Sequence, residues 1–228
     1  MLQVLQNVKS GDLRLETVPP PALLPAGVRV RTHGSLISAG TEKMLVELGQ
    51  KSLLGKARAR PDLVRQVVEK ARQQGLVNTF NNVMSKIERP MSLGYSAAGV
   101  VEAVGSEVSD LKVGDRVAIA GAGYANHAEI NYVPRNLVAL VPDGVSFEEA
   151  AYTTVASIAL QGVRLARPEL GEIAVVSGLG LIGLVAVQLL KANGCRVIGL
   201  DFDRAKIDLA LRLGMDEGAL PDEGAVKA

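Results

Sequence analysis

The chain has 228 residues, of which 48% are hydrophobic and 21% are charged, and its formal net charge at pH 7 is +1. This composition is typical of a globular protein with ample core-forming material, and the length predicts one or two domains. The near-neutral charge gives no global reason to expect nucleic acid as a partner, and the single cysteine, Cys195, excludes an intrachain disulfide framework and a four-cysteine zinc site.

The N-terminal residues 1–16 contain no signal-peptide pattern. They lack the basic region, the apolar core and the small-residue cleavage site. Together with the single cysteine, this predicts a cytoplasmic location.

Short strands are predicted in residues 1–42 and again in 97–141. Hydrophobic and polar residues alternate at 13–16 and at 28–33, where Val28 and Val30 share one face and basic side chains share the other. Further strand candidates are 97–105, 116–120, 126–133 and 137–141, with glycine- or proline-rich turns between them. Strands at this spacing predict a compact β-barrel-like domain.

Residues 43–90 interrupt the strands with a basic segment of helical periodicity. It holds ten Lys and Arg against four Asp and Glu, a local net charge of +6 that leaves −5 for the rest of the chain. Such a segment could bind an anionic ligand or an RNA. We favour a solvated helical insertion that covers a cleft or contacts another copy, because Phe80 is the one aromatic residue among the charges.

Residues 146–149, SFEE, form a predicted capping box, in which Ser146 and Glu149 satisfy each other's free backbone donors. We expect a helix from here to about residue 165. The helix would lead into a second domain, so a boundary is expected near residues 147–168, and we assign residues 1–146 to the first domain and 147–228 to the second.

Residues 173–201 have the sequence order of a dinucleotide-binding βαβ unit. An apolar run leads into GLGLIG at 178–183, a helical pattern follows, and a second apolar run ends on an aspartate. Gly178 permits the tight turn, Gly180 lets the backbone approach a pyrophosphate, and Gly183 lets the helix pack closely on the strand. Three glycines interrupt the uncharged stretch 173–190, so a buried strand–turn–helix is favoured over a membrane span.

The start of that helix and the end of the second strand complete the predicted cofactor site. Leu181 and Ile182 open the helix, whose free N–H groups favour phosphate. Asp201, 18 residues beyond Gly183, is placed to bind the ribose 2′-hydroxyl, and its charge would repel a 2′-phosphate. The sequence therefore predicts NAD as the cofactor, in preference to NADP.

After Asp201 only 27 residues remain, whereas a full dinucleotide fold needs about six strands. At most three strands of the sheet are expected. We therefore expect an incomplete chain, either a truncated gene product or a fragment of a longer one, with an exposed sheet edge. Such a chain alone is expected to bind NAD poorly and to turn over little.

Six stretches in order resemble the medium-chain (zinc-type) alcohol dehydrogenase superfamily: GTE at 40–42, GYSAAGVVEAVGSEV at 94–108, LKVGDRV at 111–117, HAEINYVP at 127–134, LVPDGVSFEEAA at 140–151, and GLGLIG with Asp201. The resemblance implies an α/β chain with a β-rich part. A GroES-like barrel catalytic domain at 1–146 carries the 43–90 insertion. An incomplete Rossmann dinucleotide-binding domain follows at 147–228. The insertion is similar to the first half of bacterial bi-domain oxidoreductases, in which a Gfo/Idh/MocA-type dehydrogenase domain follows.

The chain departs from the family at the zinc ligands. Zinc members have a cysteine just before the triplet that matches GTE, and this position corresponds here to Ala39 (or Ser38). Their histidine and glutamate correspond to Tyr95 and Ser96, and their second cysteine corresponds approximately to Thr153. None of these is a good zinc ligand. The resemblance therefore implies the zinc-less branch, and no metal is expected.

Without a metal, the resemblance assigns the chemistry to hydroxyl groups. Thr41 matches the hydroxyl that relays the substrate proton, and Tyr95, at the former histidine position, could donate a hydrogen bond to a substrate oxygen or could simply pack against the barrel. Ser157 falls near the hydroxyl that contacts the nicotinamide. Glu42 matches a carboxylate that supports the zinc histidine, so with no partner left it is expected to be solvated or structural. Structural roles are favoured for His33 and His127.

The resulting hypothesis is an NAD(P)-dependent, zinc-independent oxidoreductase that transfers hydride between the nicotinamide and an alcohol or carbonyl substrate. Quinone- or enoyl-reductase-type reduction of a C=C bond and a catalytically silent nucleotide-binding fragment are the alternatives. The expected partner is a small-molecule substrate, with no nucleic acid and no membrane. A homo-oligomer and a fused C-terminal dehydrogenase domain are both compatible with the sequence.

Overall fold

The computed structural model describes residues 1–7, 10–50, 55 and 90–221, and the chain divides into two units, Met1–Ala151 and Tyr152–Ala228. Most of the basic segment predicted to be helical at 43–90 lies outside the described residues, apart from the helix that ends at Gln50.

The first unit is built from two antiparallel sheets. Its strands are β1 Leu2–Asn7, β2 Leu13–Thr17, β3 Gly27–Ser35, β4 Pro90–Ser92, β5 Ser96–Val104, β6 Arg116–Ala120, β7 Ile130–Pro134 and β8 Val138–Leu140. Five strands pair in the order β7-β3-β5-β6-β8, and three pair in the order β2-β1-β4. Helix α1 spans Ala39–Gln50, α2 spans Phe147–Ala150, and a 3₁₀ turn covers Arg135–Leu137. The β-rich domain predicted from the sequence is present.

The alternation predicted for β3 is confirmed by burial. Val28 and Val30 are fully buried in the core of the five-stranded sheet. On the other face, Arg29 and Arg31 lie 2.8 and 3.0 Å from the carboxylate of Glu102 on the paired strand β5. A period of two therefore separates core from surface on this strand.

Two sequence predictions of local structure are wrong. Residues 39–42 begin helix α1 instead of continuing the strands. The capping box at Ser146 is confirmed by both of its hydrogen bonds, 2.7 and 3.1 Å. The single helix predicted to about residue 165 is interrupted after Ala150 and resumes as Thr153–Ala166, so its end is confirmed and its continuity is wrong. The Ala151 carbonyl accepts a 2.5 Å hydrogen bond from the Ser96 hydroxyl instead of continuing the helical ladder.

The second unit has a three-stranded parallel sheet in the order β11-β10-β9. Its elements are α3 Thr153–Ala166, β9 Ile173–Ser177, α4 Leu181–Ala192, β10 Arg196–Leu200, α5 Arg204–Arg212 and β11 Glu217–Ala219. The predicted βαβ order is confirmed. Cys195 is buried in the core of this unit. At the sheet edge, Ile173 and Val175 on β9 are 60% and 61% exposed. In the described part of the chain, no helix has the length and apolarity needed to cross a membrane.

Candidate functional site

The turn after β9 has the geometry that its glycines predicted. Gly178 has a φ of +90°, in the left-handed region that glycine adopts without strain. Its N–H donates a 2.7 Å hydrogen bond to the carbonyl of Leu200, which joins the turn to β10. A Cβ atom on Gly183 would lie 1.9 Å from the Gly178 carbonyl oxygen. Glycine at position 183 is therefore what lets α4 begin this close to the turn.

The N-terminus of α4 is open to a ligand. Gly180 is the capping residue, and it offers no side-chain acceptor to the first N–H groups of the helix. A Cβ atom on Gly180 would meet nothing within 4 Å, so the space in front of the turn is free. Leu181 and Ile182 form the first turn of α4, where backbone N–H groups lack intrahelical partners. This arrangement suits an anionic group such as a pyrophosphate.

Asp201 follows β10 and contacts the same turn. Its Oδ2 accepts a 2.7 Å hydrogen bond from the N–H of Leu179, and its Oδ1 accepts a 2.9 Å bond from the N–H of Asp203. The N–H of Asp203, then that of Leu179, and then the Lys206 ammonium 3.6 Å away hold the pKa of Asp201 below its usual range. A carboxylate has about four acceptor sites, so these contacts leave about one for a ligand hydroxyl.

Lys206 was missed by the sequence reasoning. It lies in the first turn of α5, and its side chain is 46% exposed beside Asp201. Lys206 follows Asp201 by five residues, across the connection from β10 to α5, and this spacing is the sequence signal that could have identified it. The ammonium group adds a positive charge next to the acidic acceptor of the turn.

Ser157 lies on α3 and is exposed. Its hydroxyl donates a 2.7 Å hydrogen bond to the Thr153 carbonyl, one turn back along the same helix. The oxygen keeps its acceptor lone pairs. Contact between Ser157 and a nicotinamide stays a prediction.

The two predicted catalytic hydroxyls lie in the first unit. Thr41 is exposed in the first turn of α1, and Tyr95 is half-buried in the bend that precedes β5. The Tyr95 backbone carbonyl accepts a 2.9 Å hydrogen bond from the N–H of Gly121. Within the described ranges, the Tyr95 hydroxyl has no hydrogen-bond partner and no hydrogen bond joins it to Thr41. Their catalytic roles stay predictions.

Next to Thr41, the structure assembles a polar cluster that the sequence did not predict. His127 Nε2 lies 2.7 Å from Oε2 of Glu42, and His127 Nδ1 lies 2.8 Å from Oγ of Ser35. The other carboxylate oxygen of Glu42 accepts a 2.8 Å hydrogen bond from the N–H of Ser38. Glu42 is buried, so the expectation of a carboxylate without a partner is wrong. Glu42 and His127 are 85 residues apart, and no local sequence signal joins them.

The structure describes each of the residues that the resemblance places at the zinc-ligand positions of the family. Ala39 is exposed at the start of α1, Tyr95 and Ser96 flank the start of β5, and Thr153 begins α3. Across residues 1–7, 10–50, 55 and 90–221, no group of three or more His, Cys, Asp or Glu side chains is placed to hold a metal ion. The donor set at these positions does not fit zinc, because it offers no thiolate, imidazole or carboxylate.

The described residues form a β-rich domain followed by a βαβ unit that contains the GLGLIG turn. Residues 68–158 match the alcohol dehydrogenase GroES-like domain family. This stretch is similar to that domain, and the chain is similar to curated alcohol and quinone oxidoreductases, so the resemblance to the medium-chain alcohol dehydrogenase superfamily is confirmed. The zinc-less branch and a fused second dehydrogenase domain stay predictions.

Two curated relatives illustrate the match. The chain is 33% identical over 159 residues to an alcohol dehydrogenase of Geobacillus stearothermophilus, covering 58% of this chain and 47% of the relative. It is 38% identical over 128 residues to a quinone oxidoreductase of Pseudomonas aeruginosa, covering 55% of this chain and 39% of the relative. These alignments span less than half the length of either relative.

The fold is also similar to that of solved oxidoreductases. The structure of an Escherichia coli quinone oxidoreductase complexed with NADPH superposes with a TM-score of 0.68 at 22% identity, covering 96% of this chain and 58% of that chain. The predicted fold class, a GroES-like part followed by a Rossmann-type part, is thereby confirmed.

Proposed function

We propose that this protein is an NAD(P)-dependent, zinc-independent oxidoreductase that transfers hydride between the nicotinamide and an alcohol or carbonyl substrate. The observation that carries the proposal is the GLGLIG turn, with Gly178 in the left-handed region and Gly183 packed against it. The oxidoreductase relatives support the same class of chemistry.

The cofactor site is assigned to residues of the second unit. The N–H groups at Gly180, Leu181 and Ile182 would hold the pyrophosphate, and Asp201 would accept a hydrogen bond from the ribose. When bound, the nucleotide supplies the hydride donor or acceptor that no amino-acid side chain provides. In this proposal Ser157 orients the nicotinamide end.

We propose NAD in preference to NADP because Asp201 is ionised. A 2′-phosphate about 4 Å from its carboxylate would be repelled by about 1 to 4 kcal/mol, depending on the effective dielectric constant. The neighbouring Lys206 offsets part of this repulsion, and one structure of similar fold contains NADPH. We therefore expect NAD to bind more tightly than NADP without NADP being excluded. A competition experiment between the two nucleotides measures the ratio of their affinities.

The catalytic hydroxyls in this proposal are Thr41 and Tyr95. The half-buried Tyr95 hydroxyl lacks a partner among the described residues and can donate to a substrate oxygen. We expect Tyr95→Phe to lower kcat by about 100-fold, the lower end of the range for a lost acid–base group. The matched control is Tyr124→Phe, since Tyr124 is 40% exposed and has no proposed role.

The experiment follows nicotinamide absorbance with NAD⁺ and a panel of alcohols, and with NADH and the matching ketones. A Tyr95→Phe protein as active as Tyr124→Phe would remove Tyr95 from the catalytic role. Dialysis against a chelator is expected to leave the rate unchanged, and a rate restored only by added zinc would contradict zinc independence.

A second candidate is reduction of a quinone or an activated C=C bond. It is favoured by the 38% identity to a quinone oxidoreductase. Product analysis separates the two, because C=C reduction converts an enone into a saturated ketone, whereas carbonyl reduction gives an allylic alcohol. If nucleotide binds but neither reaction occurs, the silent nucleotide-binding alternative is favoured.

A further inference from the structure

The Ser35–His127–Glu42 cluster combines an exposed hydroxyl with a buried acid–base pair. Ser35 is exposed at the end of β3. Behind it, the side chains of His127 and Glu42 are only 12% and 8% exposed. Removal from water strengthens the hydrogen bond between these two groups. The proposed oxidoreductase function uses none of these three side chains.

The hydrogen bonds fix which ring nitrogen of His127 carries a proton. With Glu42 ionised, both of its oxygens can only accept, one from the N–H of Ser38 and the other from His127 Nε2. The neutral imidazole then has its proton on Nε2 and a lone pair on Nδ1. The Ser35 hydroxyl, 2.8 Å from Nδ1, donates to that lone pair. This is the arrangement in which an imidazole activates a serine hydroxyl.

A shallow depression of about 290 Å³ opens at the exposed end of the cluster. Ser35 and His127 line it together with the apolar side chains of Leu2, Val4 and Leu15 and the polar side chains of Thr32, His33 and Glu129. The depression therefore places the Ser35 hydroxyl beside both apolar and polar groups. That combination suits a small organic molecule with one polar oxygen.

We propose that Ser35, His127 and Glu42 form an acid–base relay, and that a small alcohol bound in the depression exchanges its hydroxyl proton with it. For an alcohol, the substrate O–H proton passes to Ser35 Oγ while the Ser35 proton passes to His127 Nδ1. The imidazolium that results is paired with Glu42. The reverse transfer returns the proton to the substrate oxygen. This exchange changes no oxidation state, so the relay needs no nucleotide and no metal.

The first test labels the activated hydroxyl with diisopropyl fluorophosphate. Ser35 Oγ would form the bond to phosphorus, the P–F bond would break, fluoride would leave, and the serine proton would remain on His127. We expect one adduct, located at Ser35 by peptide mass spectrometry. His127→Gln is expected to slow its formation by about 100-fold or more.

His33→Gln is the matched control, because His33 lines the same depression without a hydrogen bond to Ser35 in the described structure. It is expected to label at the wild-type rate. No adduct at Ser35, or an equal labelling rate in His127→Gln and His33→Gln, would overturn the proposal.

The second test reads the tautomer of His127 in protein that has not been treated with diisopropyl fluorophosphate. The protein has two histidines, so the His33→Gln protein labelled with ¹⁵N in the imidazole gives the signals of His127 alone. The expected spectrum is that of the Nε2–H tautomer, and an Nδ1–H tautomer would overturn the relay. Neither test involves nucleotide, so failure of the oxidoreductase proposal leaves both outcomes unchanged.

Discussion

Replacing Gly183 by alanine tests the packing of the nucleotide-binding turn against a closely matched control. The added Cβ atom would lie 1.9 Å from the Gly178 carbonyl oxygen and 3.0 Å from its carbonyl carbon. Both atoms belong to the backbone, so the start of α4 or the turn must move. Overpacking of this kind costs about 1–3 kcal/mol. The gain in helix propensity, up to about 1 kcal/mol, offsets only part of it.

Gly162 provides the control, because it lies inside α3 of the same unit and a Cβ atom there meets nothing within 4 Å. Gly162→Ala is expected to raise the free energy of unfolding by about 0.5–1 kcal/mol. Gly183→Ala is expected to lower it by about 0–2 kcal/mol, the overpacking cost less the propensity gain. Urea denaturation followed by far-UV circular dichroism measures both changes. Equal stability of the two variants would refute the steric argument.

Three further predictions concern the second unit. Asp201→Asn removes the charge while keeping a side-chain acceptor, so the affinity for NADP relative to that for NAD should rise. Competitive titration with the two nucleotides measures this ratio, and an unchanged ratio would show that Asp201 has no role in selectivity. The pKa of Asp201 is lowered first by the N–H of Asp203, and that of Asp216 first by Lys191. These bonds therefore stabilise the folded state at pH values above the ordinary aspartate pKa. That stabilisation is lost as the pH falls through the lowered pKa values that the two carboxyl groups have in the folded state. Urea midpoints that stay constant with falling pH would contradict this. Ile207→Ala should cost about 2–5 kcal/mol because the side chain is fully buried, and a loss below about 1 kcal/mol would show that the site collapses to fill the cavity.

Local chemistry explains why much of the fold is visible in the sequence. Val28 and Val30 alternate with charged neighbours and are buried, as a period of two predicts. In the turn, Gly178 has a positive φ and Gly183 has no space for a Cβ atom, and glycine meets both requirements. The glycine spacing in the sequence therefore predicted this turn. The capping box at Ser146 is likewise a contact between near neighbours.

The features that the sequence did not reveal depend on contacts between distant residues. The helix after Ser146 is interrupted where Ser96, 55 residues earlier in the chain, bonds the Ala151 carbonyl. The Glu42–His127 pair joins α1 to the segment before β7 across 85 residues. Strand β11 has only three residues and pairs with β10 in a sequence without strong alternation. Propensity and periodicity carry no information about such pairings.

The most direct test of the central claim is a ¹H–¹⁵N titration of the chain with NAD⁺ and, separately, with NADP⁺. The account predicts shifts at the amides of Leu179, Gly180 and Ile182 that grow with the NAD⁺ concentration and saturate, because these N–H groups line the proposed pyrophosphate site. NADP⁺ should bind at least roughly tenfold more weakly, which corresponds to about 1.4 kcal/mol of repulsion at Asp201. Shifts absent from this turn, or NADP⁺ binding as tightly as NAD⁺, would contradict the account.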